Sequence, residues 1–136
     1  MTTTIPHPCK KSQTNKRTSK QTLPTNLLHT IANTVQYYKM TTAVIDQTLK
    51  LAGEKGVAVF SKSYCPFCVK AKKAIKGAGF TPVVVELDKR QDGSAIQQAL
   101  LEKTRQRTVP SVWLGGKFVG GCDDTLKLIK TGKFVV

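Results

Sequence analysis

Long hydrophobic runs are missing from this sequence of 136 residues. There is no stretch of about 18 apolar residues, which excludes a membrane-spanning helix. The N-terminus also lacks the apolar segment of roughly 7–15 residues and the small-residue cleavage site that mark a secretory signal. We therefore expect a protein with no membrane partner that works in a reducing compartment, with the cytoplasm as its expected location.

Acidic residues are scarce: the chain has eight Asp and Glu against 22 Lys and Arg, a formal net charge of +14. Residues 1–45 contain six basic residues and no acidic one, so residues 46–136 hold sixteen basic and eight acidic residues, a net +8. Such an excess raises nucleic acid as a candidate partner. The sequence shows no recognition helix, zinc-finger spacing or interleaving of aromatic and basic residues. We expect no nucleic-acid partner, and a basic rim that suits small anions and acidic clients.

A second pair of closely spaced cysteines is also absent. The four cysteines of the chain are Cys9, Cys65, Cys68 and Cys122. A structural zinc site usually needs four ligands, and His7 and His29 lie with Cys9 in the N-terminal region. We therefore expect no metal site. In a reducing compartment, the pair in "SKSYCPFC" (61–68) is better explained by redox chemistry than by a structural disulfide.

Residues 1–40 differ in composition from the remainder. They are rich in Thr, Lys, Asn and Gln, and their apolar residues are too sparse to bury a core, so we expect a disordered basic extension. Because this segment is free of acids and rich in hydroxyls, it is also a candidate targeting segment, which would direct the protein to a plastid or mitochondrion. Against that, it has a single arginine, Arg17, whereas transit peptides are Arg-rich.

Hydrophobic periodicity from residue 42 onward predicts the order α-β-α-β-α-β-β-α for the domain at 41–136. Helices are expected at 42–52, 68–80, 92–104 and 122–132, and strands at 57–62, 82–88 and in a hairpin at 111–121. The first two strands flank a helix, which makes a parallel βαβ unit, and the hairpin around Gly115 and Gly116 adds antiparallel strands. The expected fold class is α/β, with a four-stranded mixed sheet flanked by helices.

Cys65 lies where a strand meets a helix, and this position has chemical consequences. Pro66 suits the first helical position, which makes Cys65 the N-cap. The free N–H groups and the positive end of the helix dipole then favour a thiolate at Cys65, and Lys62 adds positive charge. Cys68 is one turn deeper and more shielded. The sequence thus predicts unequal catalytic roles, with Cys65 as the nucleophile and Cys68 as the resolving thiol.

Three motifs resemble those of dithiol glutaredoxins of the CPFC type, which have a thioredoxin-like fold. They are "CPFC" (65–68), "TVP" (108–110) and "GGCDD" (120–124), in family order and spacing over roughly residues 42–134. The resemblance implies glutathione as the co-substrate, glutathionylated or disulfide-bonded proteins as clients, and a monomer. The implied activity is reduction of protein–glutathione mixed disulfides and of protein disulfides.

The resemblance also implies where glutathione binds. The glutathione-binding residues implied are Lys62, Cys65, Phe67, Gln106, Thr108, Val109, Pro110, Gly121, Cys122 and Asp123. A cis peptide before Pro110 would turn the Val109 backbone toward the tripeptide. Lys62 and Gln106 are similar to residues that hold the glycine carboxylate. The start of the last helix suits the γ-glutamyl carboxylate, and Asp123 suits its amino group.

Two other functions remain open. Some glutaredoxins bind a [2Fe–2S] cluster between two protomers through the first cysteine and glutathione, but chiefly those with glycine or serine after that cysteine, so Pro66 disfavours this alternative. A thioredoxin reduced by a flavoprotein is disfavoured because the CPFC motif has no glycine after its first cysteine.

Cys122 is either a small residue that contributes its backbone or a regulatory thiol. Arg105 departs from the family, in which many relatives carry glycine, and adds charge near the glycine carboxylate.

Overall fold

The computed structural model describes residues 27–136, and the prediction of disorder at 1–26 lies outside the described residues. The described chain forms four α-helices, four strands and a 3-10 turn at Leu87–Lys89. The helices are α1 (Leu27–Ala52), α2 (Pro66–Gly77), α3 (Gly93–Thr104) and α4 (Cys122–Lys130). The strands are β1 (Val57–Ser61), β2 (Val83–Glu86), β3 (Ser111–Leu114) and β4 (Lys117–Gly120). Within this described range, no helix is long and apolar enough to cross a membrane.

The strands form one mixed sheet in the order β2-β1-β3-β4. β1 and β2 are parallel, with Ser61 opposite Glu86, whereas β1 and β3 are antiparallel and β4 closes the predicted hairpin. This arrangement confirms the predicted α/β class with a four-stranded mixed sheet. Because β1 and β2 run in parallel, their carboxyl ends meet at one edge, where the chain continues from Ser61 into the segment that carries Cys65.

The central strand β1 supplies both faces of the sheet with core residues. Ala58 and Phe60 pack with the residues of α1 and α3, and Val57 and Val59 pack with those of α2 and α4. All four side chains are fully buried. Alternate residues of a strand point to opposite faces, so the helices lie in two layers on either side of the sheet.

The first helix begins at Leu27, fifteen residues before its predicted start, so the prediction of disorder is wrong for residues 27–40. This part of α1 carries Ile31, Val35 and Tyr38 at helical spacing, and it is exposed from Thr30 to Lys39. A hydrogen bond with Glu102 of α3 raises the pKa of Tyr38. The threonine hydroxyls bond to carbonyls of the preceding turn, as from Thr34 to Thr30 at 2.8 Å. This part of the helix therefore has little burial to support it, and its threonine hydroxyls compete for the backbone carbonyls.

The last helical turn of α3 is closed by Arg105 in the left-handed conformation, at φ 62° and ψ 6°. Its N–H donates to the Leu101 carbonyl at 2.7 Å. Left-handed backbone costs a residue with a Cβ about 1–2 kcal/mol, and glycine occupies it without that cost. We therefore expect Arg105→Gly to raise the free energy of unfolding by about 0.5–1 kcal/mol, measured by urea denaturation. Arg105→Lys retains the Cβ and should not stabilise, and equal effects of the two changes would contradict this account.

Candidate active site

The dithiol lies at the start of α2, where Cys65 is the N-cap and Pro66 the first helical residue, as predicted. The N–H of Cys65 donates to the Lys62 carbonyl at 3.1 Å, which folds "SKSYC" into a turn. The Cys65 thiol, half-buried, donates to the Val109 carbonyl across a distance of 3.9 Å. The Val109–Pro110 peptide is cis, as predicted. The CPFC motif, which contains Cys65, and the TVP motif, which contains Val109 44 residues later, are therefore in contact.

The surroundings of Cys65 stabilise its thiolate. Desolvation raises the pKa of this thiol, but the N–H and thiol of Cys68, the N–H of Phe67 and the charge of Lys62 together lower it below its ordinary value. Lys72, on the same helix, pairs with Glu86 at 2.6 Å, and the cation that acts on the Cys65 thiol is Lys62. A thiolate is the attacking species in thiol–disulfide exchange, so Cys65 has the environment of a nucleophile.

Cys68 has the opposite environment. Its side chain is fully buried, and this desolvation, reinforced by the neighbouring Cys65, raises the pKa of its thiol to about 11. A buried thiol held in its protonated form attacks external disulfides poorly but can reach Cys65 one turn away. The two environments support the unequal roles predicted for the pair.

Asp88 supports the segment that leads to the dithiol, a role that the sequence analysis missed. Its carboxylate accepts a hydrogen bond from the Ser63 N–H at 2.9 Å and a second one from the Ser63 hydroxyl. Both bonds lower the pKa of Asp88. The sequence carries one indication of this contact. Asp88 follows β2 and Ser63 follows β1, and side chains that follow two parallel neighbouring strands meet at the same edge of the sheet.

A groove of about 420 Å³ opens beside the dithiol. Its lining residues are Phe67, Gln106, Thr108, Val109, Pro110, Gly121, Cys122, Asp123 and Asp124. Eight of these nine are among the ten residues expected to bind glutathione, and Asp124 is the addition. Lys62 and Cys65 are outside this lining. The Cys65 thiol nevertheless contacts Val109 of the groove wall, and the charge of Lys62 lowers the pKa of that thiol. Phe67 is 58% exposed and is free to contact a ligand.

Gln106 has a structural role in the groove wall that its sequence position does not reveal. Its side-chain amide donates to the carbonyls of Thr108 and Pro110, each at 2.9 Å. These bonds hold the loop that presents Val109 and occupy both amide hydrogens. The assignment of Gln106 to the glycine carboxylate stays a prediction, and binding through this amide would require it to give up one of these bonds.

The opposite wall of the groove is the start of α4. Gly121 is its N-cap, and the Asp124 carboxylate lies 3.4 Å from the Gly121 N–H. Gly120 has φ +136°, and a Cβ on it would overlap the Asp124 side chain, so this position requires glycine. Asp123 is exposed and pairs with no residue of the described chain in a salt bridge. Its carboxylate is therefore available to a ligand.

Cys122 is buried at the first residue of α4, only 6% exposed. Desolvation raises the pKa of its thiol, Asp123 and Cys65 reinforce the shift, and Lys70 opposes it. These surroundings favour the first interpretation, in which Cys122 is a small residue whose backbone faces the groove. Cys9 lies outside the described residues.

The glutaredoxin family model matches residues 57–119, from β1 into β4. The chain is 57% identical to glutaredoxin-C6 of Oryza sativa subsp. japonica over 79 residues, which cover 58% of this chain and 70% of that protein. It is also 49% identical to a glutaredoxin of Ricinus communis over 89 residues, covering 65% of this chain and 87% of that protein. The chain belongs to the glutaredoxin family.

Comparison with solved structures supports the same family assignment. This glutaredoxin resembles the buckwheat glutaredoxin–glutathione complex with a TM-score of 0.64 and 40% identity, over 73% of this chain and 87% of that chain. The fold is therefore thioredoxin-like, and the protein is a thiol–disulfide oxidoreductase with Cys65 and Cys68 close together at the start of α2. Among residues 27–136, no three His, Cys, Asp or Glu residues form a group that could hold a metal ion.

Proposed function

We propose that this glutaredoxin reduces protein–glutathione mixed disulfides, with glutathione as the co-substrate that regenerates it. The observation that carries the proposal is the contrast between the two thiols. Cys65 is half-buried, has a lowered pKa and contacts Val109 of the groove wall, whereas Cys68 is fully buried with its pKa raised to about 11. Such a pair suits a reaction in which one thiol performs the first attack alone.

In the proposed cycle, the Cys65 thiolate attacks the glutathionyl sulfur of the client. A Cys65–glutathione disulfide forms, and the client leaves as a thiolate that takes a proton from solvent. A second glutathione thiolate attacks the glutathionyl sulfur, which releases oxidised glutathione and returns Cys65 as a thiolate. With a protein disulfide as substrate, Cys65 forms a mixed disulfide with the client, and Cys68 attacks Cys65 to release the client and leave an internal disulfide.

Glutathione binding in the groove is the second part of the proposal. Val109 lines the groove, and we expect its backbone to pair with the tripeptide as an added strand would. The N-terminus of α4 suits its γ-glutamyl carboxylate, the free Asp123 carboxylate suits its amino group, and Lys62 suits its glycine carboxylate. The buckwheat glutaredoxin is described as a glutathione complex, and that likeness supports the same ligand here.

Asp123→Asn tests the binding mode. Removing the charge that would pair with the glutathione amino group should raise the KM for glutathione about tenfold, because a charge-assisted hydrogen bond contributes about 1.5–3 kcal/mol. The measurement is NADPH consumption through glutathione reductase, with a glutathionylated peptide as substrate. Asp46→Asn is the matched control, since that carboxylate pairs with Lys103 and does not line the groove. Equal KM values for the wild type and Asp123→Asn would contradict the assignment.

The [2Fe–2S] alternative predicts a different result from the same protein. Anaerobic purification would then yield a coloured dimer with visible absorption bands that disappear in Cys65→Ser. A colourless protein that turns over glutathionylated peptide supports the reductase. A coloured protein without turnover overturns the proposal in favour of cluster binding.

A further inference from the structure

The turn at 62–65 joins β1 to the dithiol, and its two central residues are exposed. The N–H of Cys65 donates to the Lys62 carbonyl at 3.1 Å, which closes the four residues into a β-turn. Between them, Ser63 and Tyr64 are exposed, and Tyr64 has 73% of its surface in solvent. An exposed turn has little packing to fix its shape. Its conformation therefore depends on hydrogen bonds to other elements.

Asp88 supplies such bonds from a firmly held part of the fold. One of its carboxylate oxygens accepts a hydrogen bond from the Ser63 N–H at 2.9 Å, and the other accepts one from the Ser63 hydroxyl. Asp88 lies in the 3-10 turn after β2, next to Leu87, which is buried in the core. Core packing therefore fixes the backbone of Asp88, and both oxygens of its side chain hold Ser63 to that support.

The turn carries a charge that acts on the nucleophile. Desolvation raises the pKa of the Cys65 thiol, and the charge of Lys62 is among the contacts that lower it. Lys62 and Cys65 are the first and last residues of the turn, so the separation of the ammonium group and the thiol depends on the shape of the turn. A Coulomb interaction weakens as the separation grows. A turn without a fixed shape would therefore leave Cys65 with less thiolate.

We propose that Asp88 is a positioning residue, which keeps Cys65 reactive by holding Ser63 and, with it, the turn at 62–65. Asp88 acts through Ser63 and needs no contact with the reacting sulfur. It is not among the residues that line the groove beside the dithiol, so its contribution is separate from glutathione binding. This inference rests on the proposed role of Cys65 as the nucleophile.

The charge of Asp88 and its hydrogen bonds have opposite effects on Cys65. The bonds from Ser63, assisted by the charge of Lys89, lower the pKa of Asp88, so this carboxylate is ionised at neutral pH. A negative charge near a thiol disfavours the thiolate. Removal of Asp88 should therefore shift the ionisation of Cys65 to lower pH if the charge dominates, and to higher pH if the hold on the turn dominates. The proposal requires the second result.

The rate at which iodoacetamide alkylates Cys65 measures its thiolate, because the thiolate is the reacting form. The rate is followed from about pH 4 to about pH 9 in the reduced full-length protein, by mass spectrometry of the peptide that contains Cys65. In Asp88→Ala, the midpoint of this profile should move to higher pH, and the rate below the midpoint should fall at least about threefold. Asp88→Asn keeps an acceptor oxygen for the Ser63 N–H and should retain a rate closer to that of the wild type.

Ser63→Ala tests the same contact without changing any charge. It removes only the hydroxyl bond, so it should move the profile in the same direction as Asp88→Ala, by a smaller amount. Asp92→Ala is the matched control, because that carboxylate pairs with Arg90 at 2.8 Å, and it should keep the wild-type profile.

Three results would overturn the positioning role while Cys65 remains the nucleophile. The first is a wild-type profile in both Asp88→Ala and Ser63→Ala, and the second is an equal shift to lower pH in Asp88→Ala and Asp88→Asn. The third is a lower urea midpoint of Asp88→Ala with a wild-type profile, which a merely structural contact would give. If Cys65 of the wild type reacts no faster than Cys122, the nucleophilic role fails, and the positioning role fails with it.

Discussion

Cys65→Ser is expected to abolish glutathione-dependent reduction of a glutathionylated peptide, a loss of at least about a thousandfold, whereas Cys68→Ser should keep most of the activity. A serine hydroxyl is not ionised at neutral pH and cannot form the mixed disulfide with glutathione. Cys68 is not required because the second attack comes from glutathione. The measurement is NADPH consumption in the glutathione reductase-coupled assay.

Cys122→Ser is the control that separates thiol chemistry from the shape of the site. Cys122 lines the same groove, but its buried thiol has a raised pKa and its expected contribution is its backbone. Serine preserves that backbone and nearly the same volume, so activity should persist. Equal loss in Cys65→Ser and Cys68→Ser would refute the monothiol cycle, and a large loss in Cys122→Ser would point to a reactive role for the third thiol.

Gly93→Ala should destabilise the protein by about 3 kcal/mol or more, a large share of the stability of a small domain. Gly93 is the buried first residue of α3, and a Cβ placed on it would overlap the carbonyl oxygen of Leu87. The backbone fixes the position of the Cβ, and the Leu87 oxygen is itself a backbone atom, so no side chain can rotate away to relieve the overlap. The effect should appear as a lower urea midpoint with an unchanged slope.

Gly77→Ala is the same chemical change and should have the opposite sign. Gly77 is the last residue of α2, and no heavy atom lies within 4 Å of the position that its Cβ would take. Alanine loses less conformational entropy than glycine on entering a helix, which should raise the free energy of unfolding by about 0.5–1 kcal/mol. Similar changes in the free energy of unfolding for the two variants would show that the close approach between residue 93 and the Leu87 carbonyl does not exclude a Cβ.

The element order and the dithiol geometry could be predicted because local rules decide both. A short continuous run of apolar residues identified β1 as a buried strand, and Pro66 next to Cys65 fixed the N-cap, since proline is tolerated at the first helical position. The structure confirms both features. Neither depends on knowing which distant residues come together.

The features that the sequence did not predict depend on long-range contacts or on marginal helical propensity. The pairing of Ser61 with Glu86 follows from the register of two parallel strands, which no local pattern specifies. The internal bonds of Gln106 follow from the path of the loop around Pro110. The early start of α1 was missed because the sparse apolar residues of 1–40 predict disorder, whereas residues 27–40 form a helix without needing to bury a core.

The extent of α1 implies that one continuous helix has two levels of local stability. Its N-terminal part, Thr30 to Lys39, is exposed, and burial begins only at Thr41 and Ile45. A short helical segment without tertiary packing is marginal in water. Its amide hydrogens should therefore exchange by local fraying, while those of the second half exchange only with opening of the core. A chain shortened to begin at Met40 should keep the thermal transition of the full-length protein.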